Sequence, residues 1–404
     1  MLPLDGIKVL SFGVGGVGPD FGKIMGELGA DVIKIESKDN LDFMRTTGPD
    51  INNIPGFNES NRNKRSFGVS LKTQQGKEIV LRLVEWCDIL VENYRGGVTK
   101  SLGLDYENVS EINPNIVYAS SQGFGGGGPY SQYQAYGPML SGTSGMLSLW
   151  AHQGDPYPVG SHAPIPDHIA SKYLVTAALA ALDYKRRTGK GQFIDMAQTE
   201  VAVGMIGEYY LDYTMNHRIP KPMGNRCSYA APHGCYRCKG DDEWCAITIF
   251  TDEEWHSFCE VIGNPPWTKE PRFADLVSRL QNVDELDKRV EEWTFARDGI
   301  EVMNTLQAAG VPAGIAQQGP ESIADPQLNH DNAIVELDHP VAGKRLYPNV
   351  AFRMSEVSGF TSTPAPILGQ HTDEICIDVL GISEDNLRKL KEEGILETTP
   401  IHSA

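Results

Sequence analysis

The sequence has no apolar run long enough to span a bilayer, and its opening residues MLPLDGIKVL lack the charged-then-apolar pattern of a secretory signal. Both absences point to a cytoplasmic protein with no membrane partner. Basic residues are scarce: 35 Lys and Arg stand against 53 Asp and Glu, a net charge of −18. So acidic a chain repels nucleic acid, and any anionic ligand must be met by a local basic patch. Seven cysteines in 404 residues are too few, and odd in number, for a disulfide framework. Cys235 and Cys238 form a C-x-x-C in GCYRCKG, with Cys227, His233 and Cys245 as further candidate ligands. A second close ligand pair is missing, so the reading is a strand carrying two thiols, without metal. No P-loop, H-E-x-x-H or EF-hand occurs, and SGTSGM lacks the spacing of a serine nucleophile elbow.

What is present is an ordinary globular composition, 40% hydrophobic and 22% charged. The length exceeds what one core serves, so two domains are expected. Short apolar runs alternate with helical patterns: IKVLSF, then FGKIMGELGA ending at Gly29, DVIKIE, KEIVLRLVEWC, DILVEN, NPNIVYASS, LVTAALAALDYKRR and QFIDMAQ. This alternation predicts an α/β fold, a parallel sheet covered by helices. FGGGGPY marks a turn at Gly125 to Pro129, and Lys185, Arg186 and Arg187 suit the negative end of a helix dipole. The large domain is placed at 1–200 and a linker at 201–225. A smaller α+β domain at 226–325 carries WCAITIF, EEWHSFCEVIG and DELDKRVEEWTFA. The remaining 326–404 is expected to end in helices.

Gly13, Gly15 and Gly18 spell G-x-G-x-x-G between a strand and a helix, and Glu36 ends the next strand. On the motif alone this is a dinucleotide site, with an NAD-dependent oxidoreductase as the implied activity. Pro19 removes one backbone donor from that helix start, and no hydride-transfer constellation follows it.

Asp167 stands in APIPDHIASKYLVTAALAAL, where Pro164 and Pro166 hold the approach extended and a helix follows. It reads first as a helix N-cap. A carboxylate there is also stabilised as an anion by the dipole, and so is available as a nucleophile. His168 is read as a wall residue, and His162 is near in sequence without a spacing argument.

Eight stretches, taken in order, carry a resemblance: GELGADVIKIE, NRNKRSFGVSLK, CDILVENYRGGVTKSLGL, SSQGFGGGGPY, YKRRTGKGQFIDMAQ, APHGCYRCKGDDEW, AAGVPAGIA and APILGQHTDEI. The chain resembles the class III CoA-transferases, which include formyl-CoA transferase, the carnitine CoA-transferases and the related alpha-methylacyl-CoA racemase. The resemblance implies a large Rossmann-like domain and a small domain, a C-terminal return of 326–404 to the large domain, and two chains threaded through each other as an interlocked dimer. It implies CoA thioesters as substrates, with no permanently bound cofactor and no nicotinamide. Asp167 takes the place of the family nucleophile. Residues lining CoA map onto Val69, Lys72, Asn93, Tyr94, Lys100 and Leu102, and an active-site tyrosine onto Tyr136. Lys72 has the charge to meet a CoA phosphate.

Three departures stand out. Gly96 replaces a frequent proline, Ser101 replaces an arginine of formyl-CoA transferase, and Gly137 replaces a glutamate. The last implies an acceptor other than a small oxalate-like acid. The branch that moves CoA from succinyl-CoA to benzylsuccinate in anaerobic toluene breakdown is the nearest in character. Racemases place His-Asp where this chain has Tyr136-Gly137, and some transferases pair an active subunit with an inactive homologue, so homodimer and hetero-oligomer both stay open.

Overall fold

The computed structural model describes all residues except Gln153, Tyr157, Val159, Ser161, His162, Asp331, Ser358, Thr361 and 399–404. The chain forms two compact units. One comprises Met1–Leu147, Gly160–Ile219 and Gln327–Ala404; the other comprises Ser148–Val159 and Pro220–Pro326.

In the larger unit the apolar runs become β1 (Lys8–Ser11), β2 (Asp31–Glu36), β3 (Arg65–Val69), β4 (Ile89–Glu92), β5 (Val117–Gln122) and β6 (Gln192–Ala197). Their order is β3-β2-β1-β4-β5-β6, and every neighbouring pair among them is parallel. Strand side chains alternate between the two faces. Leu10, Leu90 and Tyr118 go to one core, under the helix Gln74–Trp86. Val9, Ile89, Val91 and Ala119 go to the other, under Val17–Glu27 and Ile165–Thr188. With both faces covered, the central strands can be apolar throughout. Strand order reverses between β1 and β4. A crevice therefore opens at the carboxyl ends of these strands, where open α/β sheets take ligands.

The helix Val17–Glu27 ends as its sequence suggests. Gly29 has φ +104°. The Gly29 N–H donates to Gly26 O at 3.0 Å, and the Ala30 N–H to Met25 O at 3.0 Å. This is the paired closure of a helix by a glycine beyond its last turn.

One expectation fails here. The stretch read as a linker from 201 holds the helices Gln198–Met205 and Gly207–Asn216. The C-terminal stretch carries the expected helices at Thr372–Glu374 and Glu384–Glu392. It also contains the hairpin β10 (Ile334–His339) and β11 (Gly343–Pro348), and after its last helix the short strand β12 (Leu396–Glu397) pairs antiparallel with β3.

The smaller unit is α+β. β7 (His233–Arg237), β8 (Trp244–Thr248) and β9 (Ala313–Ile315) form an antiparallel sheet. The helices Asp252–Val261, Val283–Thr294 and Gly299–Ala308 join it around Trp255, Phe258 and Tyr236. Thr251 and Glu254 close a reciprocal capping box at the first of these helices. The Cys238 and Cys245 thiols lie in this core, where burial pushes them up to about 11 and about 12. They remain protonated and pack as small apolar groups. No cluster of three His, Cys, Asp or Glu side chains among the described residues is placed to hold a metal ion.

Candidate active site

The segments after β1, β4 and β5 meet at the crevice, and the helix Ile165–Thr188 brings Asp167 to it. That helix starts two residues before Asp167, with Pro164 at the cap position and Pro166 in the first turn. Asp167 is therefore not the N-cap. Its N–H donates to Pro164 O at 3.0 Å, and its side chain caps nothing. The carboxylate instead reaches out against two glycines. A Cβ on Gly16 would stand 2.9 Å from Asp167 Cβ, and one on Gly137 would stand 2.4 Å from Asp167 Oδ2. Only glycine at both positions lets the carboxylate lie against main chain.

Burial pushes the Asp167 carboxyl up to about 6, against the His168 charge and the Gly137 backbone N–H, both of which favour the anion. Desolvation thus outweighs the stabilisation expected from the helix start. At neutral pH the group is still mostly ionised, and it is more basic than an exposed aspartate, which suits a nucleophile.

The glycine turn is held rigidly. Asn93 clamps Val14 at both ends: its Oδ1 accepts the Val14 N–H at 2.8 Å and its Nδ2 donates to Val14 O at 2.8 Å. Lys34, fully buried in β2, donates to Gly13 O at 2.6 Å and pairs with Asp42 at 3.1 Å. Asp42 in turn accepts the Gly15 N–H at 2.9 Å. Gly13 and Gly18 face each other so closely that a Cβ on Gly18 would lie 2.4 Å from Gly13 Cα. The motif residues therefore pack the turn against the protein itself.

Glu36, the residue a ribose would need, is 2% exposed and gripped by Arg45 through both oxygens at 3.0 and 3.1 Å. It is not available to a nucleotide sugar, and the dinucleotide reading fails on this contact.

A cavity of about 210 Å³ opens in front of Asp167, lined in part by Phe43, Asn93, Tyr94, Arg95, Tyr136 and Gln198. The Tyr136 ring is 55% exposed and meets Phe43 edge-on at 5.8 Å. Among the described residues, Arg95 is the one cationic side chain on that lining. Of the residues expected from sequence, the cavity gathers Asp167, Asn93, Tyr94 and Tyr136. The other four lie off its lining. The Val69 side chain is 1% exposed and serves the core. Lys72 is exposed and pairs with Asp39 at 3.0 Å. Lys100 and Leu102 sit on the short helix Val98–Leu102, with Lys100 exposed and Leu102 packed on the core.

His168 is no wall of this cavity; it turns to Asp20, with Nδ1 3.7 Å from the carboxylate. Burial alone would raise the Asp20 carboxyl. His168, Lys23 and Lys172 overcome it and hold the group well below the usual carboxylate range. His162 lies outside the described residues.

Sequence reasoning missed Lys34, Asp42, Phe43 and Arg95. A lysine inside DVIKIE was the available signal, because a charge in a doubly covered strand requires a buried partner.

The family model described as CoA-transferase family III matches residues 4–372. A formyl-CoA:oxalate CoA-transferase of Afipia carboxidovorans is 31% identical, covering 98% of both chains. A probable CoA-transferase of Mycobacterium tuberculosis is 32% identical over 98% of this chain, which spans only 50% of that longer protein. Among solved structures, a CAIB/BAIF family protein from Brucella suis superposes with a TM-score of 0.86 at 30% identity, covering 94% of this chain and 99% of that one. The family model, these relatives and the shared fold agree: the chain belongs to CoA-transferase family III.

Proposed function

We propose that this enzyme moves CoA from succinyl-CoA to a carboxylic acid acceptor, benzylsuccinate or a related aromatic or dicarboxylic acid, with Asp167 carrying acyl and CoA groups in turn. The observation that carries the reading is the Asp167 carboxylate itself: raised in basicity, seated on Gly16 and Gly137, and open to a cavity. The Asp167 carboxylate attacks the donor thioester carbonyl, forming an acyl-aspartyl anhydride and releasing CoA thiolate. The thiolate attacks the aspartyl carbonyl, giving an aspartyl-CoA thioester and the free donor acid. The acceptor carboxylate attacks that thioester, forming an acceptor-aspartyl anhydride and freeing the thiolate again. The thiolate then attacks the acceptor carbonyl and restores Asp167. Each step exchanges one activated acyl group for another, so no ATP is consumed.

Asn93, Tyr94 and Tyr136 are assigned to the CoA path on the cavity side. Val69, Lys72, Lys100 and Leu102 are assigned to its outer course along the surface. Relatives are named for formyl-CoA and oxalate. The exposed Phe43–Tyr136 pair beside Asp167, together with Gly137, supports a larger acceptor with apolar surface. Racemisation would need an acid/base pair astride the alpha carbon, and Tyr136-Gly137 supplies no histidine for it. An intact nucleophile supports an active subunit rather than a silent partner.

The interlocked dimer belongs to the same proposal. The helix Gly207–Asn216 buries none of its residues and exposes Tyr210, Leu211, Tyr213 and Met215, the kind of apolar face that a partner chain covers.

The test is incubation with succinyl-CoA and a panel of acids, followed by mass spectrometry of acyl-CoA products. Benzylsuccinyl-CoA formed without ATP is the expected result. Transfer to oxalate alone would overturn the acceptor assignment.

A further inference from the structure

Asp20 is a buried carboxylate that the mechanism above does not use. It stands one turn into the helix Val17–Glu27, is 2% exposed, and its N–H donates to Gly16 O at 3.0 Å. Its side chain reaches across to the helix Ile165–Thr188, one turn after Asp167. The fully buried Ser171 hydroxyl lies 2.7 Å from Asp20 Oδ2, and Lys172 Nζ lies 2.5 Å from the same oxygen. Lys23, on the helix of Asp20 itself, holds the other oxygen at 2.8 Å. The Ser171 hydroxyl is also 2.8 Å from His168 O. It has one hydrogen, and an ionised carboxylate is the stronger acceptor, so that hydrogen goes to Asp20.

Residues four apart on a helix stand one above the other on one face. Gly16 and Asp20 are so spaced, and so are Asp167 and Ser171. Gly16 lies against Asp167, where an added Cβ would stand 2.9 Å from Asp167 Cβ, and Asp20 lies against Ser171. The two contacts are successive rungs between the same pair of helices, one turn or about 5.4 Å apart. The first rung cannot fix itself. Gly16 has no side chain to hold with, and the Asp167 carboxylate must stay free to react. The rest of the interface is apolar: Val17, Phe21 and Met25 share one core with Ala170, Leu174 and Ala178. Such contact holds the helices together but is non-directional, and does not fix how far one slides along the other. Among the described residues, the side-chain hydrogen bonds and ion pairs between these two helices all end on Asp20.

We propose that Asp20 and Ser171 are positioning residues for the transfer reaction: their hydrogen bond sets the register of the helix Ile165–Thr188 against the glycine turn, and so holds the Asp167 carboxylate where attack on the thioester requires it. The inference rests on the transferase reading, which makes Asp167 the nucleophile. A charge-assisted bond is short and directional, as a spacer must be. Although burial opposes the charge, His168, Lys23 and Lys172 keep Asp20 ionised and the acceptor in place. Neither Asp20 nor Ser171 lies on the cavity lining, so their loss should change the rate of attack and leave the binding of the acyl-CoA as it is.

The experiment is single-turnover loading of Asp167 in the full-length protein by succinyl-CoA, quenched at intervals and read by mass spectrometry. Varying the concentration separates the limiting rate from the half-saturation point. Ser171→Ala removes the hydroxyl, leaves Asp20 its two lysines, and puts a good helix former in the helix. Its limiting rate should fall about tenfold, as expected for a nucleophile displaced by a fraction of an ångström, with half-saturation unchanged. Asp20→Ala should lose at least as much. It strands neither lysine, because Lys23 keeps Glu59 at 2.9 Å and the Lys172 side chain is 55% exposed. The double variant should load no more slowly than Asp20→Ala alone, since both changes remove one contact. Thr176→Ala is the control: it is exposed on the same helix, its hydroxyl turned to Lys172 O at 2.9 Å, and it should load at the wild-type rate.

A Ser171→Ala limiting rate within about twofold of wild type overturns the proposal, even where urea unfolding shows the variant to be less stable, because the bond is then only structural. A loss confined to half-saturation overturns it too, as do losses that multiply in the double variant. Should Asp20→Ala fail to fold, Ser171→Ala decides alone. Absence of Asp167 loading in the wild type sinks the transferase reading and this inference with it, whereas normal wild-type loading with an unimpaired Ser171→Ala sinks only the inference.

Discussion

Replacing Gly137 by alanine should separate Asp167, the proposed nucleophile, from its seat while leaving the fold intact. The added Cβ would lie 2.4 Å from Asp167 Oδ2 and 2.7 Å from Pro164 Cβ. Ordinary contact begins near 3.4 Å, so the carboxylate must retreat by about 1 Å, the difference between those separations. A misplacement of about 1 Å at a reacting group costs roughly 10²-fold in rate, or about 2.7 kcal/mol in the barrier. The clash itself should cost about 1–3 kcal/mol of stability. The assay is single-turnover loading of Asp167 by succinyl-CoA, followed by rapid quench and mass analysis, with urea unfolding as the check on folding. Gly204→Ala is the control, because a Cβ there meets nothing within 4 Å. Loading by the Gly137→Ala enzyme at a rate within twofold of wild type would refute the claim that main-chain packing positions the nucleophile.

Other outcomes follow from the same contacts. Asp167 must be ionised to attack, so kcat/KM for the acyl-CoA donor should fall as pH drops through about 6; a profile flat down to pH 4.5 would contradict this. Burial makes Glu92 hold its proton more tightly in the folded chain than in the unfolded one. Its favourable contribution to folding is therefore complete below the unfolded value of 4.5 and is lost as pH rises through about 7. Glu92→Gln should accordingly be more stable than wild type at pH 9 by up to about 3 kcal/mol in urea titrations, with the gain vanishing near pH 4. Arg45→Ala strands the buried Glu36 and should cost about 3–5 kcal/mol. Calorimetry with NAD should show no binding, since Glu36 cannot turn to a ribose.

The sheet was legible because its strands are covered on both faces. VLS, ILVE and VYASS read as apolar runs wherever they stand, and Gly29 announces a helix end by chemistry local to one turn. Asp167 stood out through the family resemblance, since its residues alone read as a helix N-cap, and its position in the helix was not legible. Two prolines precede it, and only the structure shows that the second sits inside the first turn. The helix Gly207–Asn216 was taken for linker because it has no buried face to give it helical periodicity. The bracing of the glycine turn depends on Lys34, Asp42 and Asn93, which are far apart in sequence and meet only through strand order. Glu36 shows the cost of reading a motif without its neighbours. Its spacing from the glycines fits a nucleotide site, yet Arg45, nine residues on, has already taken both its oxygens.

The central claim is a covalent bond to one side chain. The protein should be mixed with succinyl-CoA, quenched with hydroxylamine and digested, and the peptide containing Asp167 weighed. The account predicts an aspartyl hydroxamate at Asp167 that appears only with the acyl-CoA and is absent from Asp167→Ala. CoA transfer proceeding at full rate with that peptide never modified would contradict it.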